Sequence, residues 1–61
     1  MKTLEEMLID ELANAYSGVH EFPGLNSIVT EMRAVENLVR RVLGDEAVLK
    51  AKDVYREKYA K

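Results

Sequence analysis

RRVLGDEAVLKAKD, residues 40–53, decides whether the chain ends in one long rod or in two helices. Upstream of it Ile28, Met32, Val35, Val39 and Val42 step by four, three, four and three, the spacing of an apolar seam on a helix. Val29, Leu38 and Leu43 widen that seam. Carried past Val42, the same register meets Glu46, Leu49, Asp53 and Arg56, which puts three charges in four places. The phase therefore breaks at Gly44-Asp45-Glu46. Glycine closes a helix in a left-handed conformation that other residues resist, and Asp45 is a good N-cap for the next one.

Working outward, the second helix is expected over about 27–43, with Asn26 or Ser27 as its cap, and the third over about 46–60. The third has a narrower apolar stripe of Ala47, Val48, Ala51, Val54, Tyr55 and Tyr59. Lys58 and Lys61 near its end suit the negative pole of the helix dipole. Leu49 points roughly opposite the stripe. It is either exposed or covered by something beyond a simple bundle. Two heptads in the second helix are too few for a free coiled coil, and a bundle core explains them equally well.

Toward the N-terminus, Thr3 followed by Glu6 fits a capping box, so the first helix begins at Leu4 and carries Glu5 and Glu6 at its positive end. Leu4, Met7, Leu8, Ile9, Leu12, Ala15 and Tyr16 form its broad apolar arc, and Gly18 is the expected stop near residue 17. Between the first two helices, HEFPGLNS at 20–27 holds the only proline and a turn signal at Pro23-Gly24. Val19, Phe22 and Leu25 recur every three residues there. The preferred reading makes Phe22 a plug for the open end of the core; the alternative displays it, with His20 and Glu21, to a partner. The expected fold class is all-α: a single helical domain over 1–61, a three-helix bundle or a helical hairpin plus a third helix, assembled as a dimer.

Composition narrows the function classes. Sixty-one residues with no cysteine exclude a disulfide framework or a thiolate metal site, and one histidine cannot build a zinc site alone. No apolar run has the length of a membrane span, and the acidic, interrupted N-terminus does not read as a signal peptide, so a cytoplasmic protein without membrane partners is expected. No histidine and carboxylate stand recognisably around Ser17 or Ser27, and a chain this short has little volume for a pocket that would shift a catalytic pKa. The expectation is a non-enzyme with no cofactor and no metal.

Charge is uneven. Residues 1–31 hold one lysine against six carboxylates, a balance of −5, whereas residues 32–61 hold eight Lys or Arg against five carboxylates, giving +3. The two halves attract. Arg40, Arg41, Lys50, Lys52 and Arg56, with Tyr55 and Tyr59 nearby, make a nucleic-acid contact surface the alternative function, with the third helix as reader. A net charge of −2 weighs against it, because non-specific attraction to phosphate is then weak. The favoured function is a small protein-protein interaction module, an adaptor or a regulator or inhibitor of a larger protein. Its apolar arcs are wider than the ~100° a surface helix needs, so the excess should be sheltered by a second copy or another protein. The residues expected at such an interface are Phe22, Ile28, Met32, Val35, Val39, Val42 and Leu49. The methionines Met7 and Met32 read as gap-fillers of the core.

Overall fold

Thr3 opens the first helix, α1 (Leu4–Glu21), as the capping box requires. The Glu6 amide donates to Thr3 Oγ1 at 3.1 Å, and the Thr3 amide donates to Glu6 Oε1 at 3.2 Å. The computed structural model describes residues 1–59. Within them α1, α2 (Asn26–Leu43) and α3 (Asp45–Tyr59) pack against one another, each touching both others, and no strand occurs among the described residues.

Gly18 does not stop α1. The helix continues to Glu21 and closes at Phe22, whose N–H donates to the Gly18 carbonyl at 2.9 Å. A helical glycine costs only about 1 kcal/mol relative to alanine, and the added turn is held from outside. His20 Nδ1 lies 2.7 Å from the Tyr55 hydroxyl, and the Tyr59 hydroxyl donates to Glu21 Oε1 at 2.9 Å. Pro23 supplies the true stop, since the residue before a proline is pushed out of the helical region. Phe22 accordingly sits at φ −131°, ψ 62°.

The α2 start also differs from expectation. Neither Asn26 nor Ser27 caps it; both lie in its first turn, and Leu25 takes the cap position with no side-chain bond. The Leu25 amide donates to the Phe22 carbonyl at 3.2 Å, a turn so tight that the helix begins at once and Ile28 N–H already reaches the Leu25 carbonyl at 3.1 Å. At the other end Gly44 has φ 89° and ψ 177°, with its N–H donating to the Arg40 carbonyl at 2.9 Å. That is positive φ with extended ψ, a region essentially reserved for glycine, rather than the left-handed helical closure foreseen. Asp45 is the first residue of α3 instead of its cap, and its carboxylate accepts from Arg40 Nε at 2.8 Å. The expected end at Ala60 and the helpful Lys61 lie outside the described residues.

Leu12 and Val39 are fully buried, and Ile9, Ala47, Val48 and Ala51 complete the core, with Leu8, Tyr16, Val35 and Leu43 packed on it. Ala13 and Ser17, which no apolar arc singled out, are buried too. The Ser17 hydroxyl is satisfied by donating to the Ala13 carbonyl at 3.1 Å. Val54 departs from the expected stripe and is 42% exposed. The chain runs up, down and up. Lys2 and Asp10 meet at the start of α1 in a hollow also lined by Lys50 and Asp53, while His20 and Glu21 at its end meet Tyr55 and Tyr59, so α1 and α3 point the same way.

Candidate functional site

Phe22 closes α1, which runs a turn further than its glycine suggested, and is not part of the core. Its side chain is half exposed, which overturns its reading as a core plug. It forms one wall of a groove between α1 and α2, with a cavity volume of about 280 Å³. Ala15 and Gly18 form the floor on the α1 side, Ile28, Met32 and Val35 line the α2 side, and Glu11, Asn14 and Glu31 border the rim. Gly18 presents no side chain to this groove. A Cβ there would meet Ile28 Cγ2 at 3.4 Å.

Of the seven residues expected at an interface, Phe22, Ile28, Met32 and Val35 are brought together in this groove. Val39 is not accessible, since it is fully buried in the chain's own core. Val42 and Leu49 are exposed, at 56% and 59%, but line no part of the groove. Val42 shares the outer ridge of α2 with Leu38, one turn away and 50% exposed. Leu4, Met7 and Leu25 are also half exposed or more, although the sequence arcs placed Leu4 and Met7 inward. The signal was the excess width of those arcs; which edge of each would stay wet depends on where the neighbouring helices sit.

The candidate nucleic-acid contacts are interleaved with carboxylates. Arg40 is shared between Glu36 at 3.6 Å and Asp45 at 2.8 Å, and Arg56 lies 3.7 Å from Asp53. Lys50 borders the hollow that also holds Asp10 and Asp53. Lys52 is only partly exposed, and Arg41 has no ion-pair partner among the described residues. Three of the five therefore have an acidic neighbour that lowers the local potential a phosphate would meet.

Two polar clusters knit the helices together. The Tyr16 hydroxyl donates to Glu36 Oε2 at 2.5 Å, and Glu36 pairs with Arg40, which pairs with Asp45, so one chain of contacts crosses from α1 through α2 to α3. Exclusion from water, and then the bond to the Glu36 carboxylate, hold the Tyr16 hydroxyl well above the ordinary tyrosine range; the Arg40 charge pulls weakly the other way. At the far end, the His20 ring lies 4.2 Å from that of Tyr59 and 5.7 Å from that of Tyr55. These contacts join α1 to α3. Among the described residues no three His, Cys, Asp or Glu side chains gather as a metal site, and no helix is long and apolar enough to cross a membrane. No family model, curated protein or solved structure matches the chain.

Proposed function

We propose that this chain is a small non-catalytic interaction module, an adaptor or a regulator or inhibitor of a larger protein, which receives an apolar segment of its partner on the α1/α2 face. The observation that carries this reading is the apolar surface left over after three helices have packed. Leu4, Met7, Phe22, Leu25, Leu38 and Val42 are all half exposed or more on α1, α2 and the turn between them, and a shaped groove opens beside Phe22. Apolar side chains gathered in one groove, as Phe22, Ile28, Met32 and Val35 are here, mark an interaction site more strongly than exposed ones scattered singly. Glu11 on the groove rim favours a partner segment that flanks its apolar anchors with Lys or Arg. The absence of cysteine suits a reducing cytoplasm.

The test compares the full chain with Met32→Glu as baits in the native cell, with circular dichroism as a check on folding. A partner bound by the parent chain and lost by the equally helical variant supports the reading. Identical capture by both sinks it. No specific observation favours the nucleic-acid alternative, and a gel shift across a salt series is expected to show no retardation even at low salt.

A further inference from the structure

The outer ridge of α2, beside the groove but turned away from the core, carries a pattern that selects its own occupant. At about 100° per residue, Glu31, Ala34, Leu38, Arg41 and Val42 fall on one arc centred roughly a right angle or more from the buried Val39. All five are exposed. Glu31 and Leu38 are seven residues apart, as are Ala34 and Arg41, so the ridge follows the helix axis as a seam for a second helix would. Glu31 and Arg41 have no ion-pair partner among the described residues, whereas the adjacent Glu36 and Arg40 do.

The ridge is also self-complementary under a two-fold axis. Turned end for end about position 36, Glu31 faces Arg41 and the small Ala34 faces the large Leu38, and both pairings occur twice because an isologous interface uses the same patch on each subunit. We infer that a second copy of this chain docks antiparallel along α2, with Glu31 of each subunit paired to Arg41 of the other and each Leu38 seated over the opposing Ala34. A specific interface takes roughly 800 Å² from each partner, out of 4597 Å² here, more than one helix ridge supplies. Leu4 and Met7 of α1, which packs on α2, are 69% and 50% exposed and offer further apolar surface for the same interface. This assignment rests on reading the uncovered α1/α2 surface as an interface, and it leaves Phe22 and the far end of the groove for another protein.

Sedimentation equilibrium of the full chain and its variants tests it. The parent chain should be dimeric, and Glu31→Arg and Arg41→Glu alone should each weaken the dimer about tenfold or more, because each places two like-charged pairs across the axis. Mixing the two single variants should restore association, since every cross-subunit pair in that heterodimer is again opposite in sign. The charge effects should shrink in high salt. All these side chains are exposed, so helicity by circular dichroism should stay that of the parent. A strictly monomeric parent overturns the inference, as does a dimer whose strength ignores both single variants or a mixture that fails to recover. The Met32→Glu capture experiment reads the groove separately, so the dimer can fail while the groove reading stands.

Discussion

At the scale of single residues, two positions have consequences that their neighbours do not share. Gly44 sits at φ 89° and ψ 177°, where a side chain is strained even though open space surrounds it. Gly44→Ala should therefore cost about 1–3 kcal/mol, read as a lower urea midpoint with unchanged slope. Tyr16 acts through pH. Its hydroxyl holds its proton more tightly folded than unfolded, by burial and by the Glu36 carboxylate that accepts from it. The folded state thus binds more protons than the unfolded chain once the solution passes the ordinary tyrosine range near pH 10. Stability from this group is complete below that value and is lost as pH rises through the folded pKa. Alkaline denaturation should begin as the unfolded-state range is passed. Tyr16→Phe should flatten that limb while lowering stability at neutral pH, because Glu36 loses a donor.

At the scale of elements, Gly18 gives the sharpest expectation. It lies inside α1, where glycine is disfavoured by roughly 0.5–1 kcal/mol relative to alanine, and an added Cβ would meet Ile28 Cγ2 at an ordinary contact distance. Gly18→Ala should raise the melting temperature while narrowing the groove between Phe22 and Ile28, an outcome that a helix-stopping glycine would not give. The three helices and the break at Gly44 were legible because they are local: the capping box at Thr3 and the seam phase lost after Val42 need only neighbouring residues. The end of α1 was not, since it is decided by Tyr55 and Tyr59, more than thirty positions away, and by the proline at 23 overriding the glycine at 18. The candidate site was legible in half. Helical spacing picked out Ile28, Met32 and Val35 together, but it could not distinguish Val39, which faces the core, from Val42, which faces water, because both lie on one broad arc.

At the scale of the whole molecule, Leu12 from α1 and Val39 from α2 are the largest fully buried side chains among the described residues, in one core cluster with Ile9, Ala47, Val48 and Ala51. With so few large residues inside, a cavity has little to collapse onto it. Leu12→Ala should cost about 3–5 kcal/mol, enough to leave much of a chain this small unfolded at room temperature by circular dichroism. The third helix contributes to that core chiefly Ala47, Val48 and Ala51. Short side chains bring a helix close but leave little apolar surface to lose when it departs, so α3 is expected to open before α1 and α2 part. Its amides should trade hydrogen for deuterium earlier than those around Leu12 and Val39, through partial openings that leave α1 and α2 paired, and a protease should find its first foothold after Gly44.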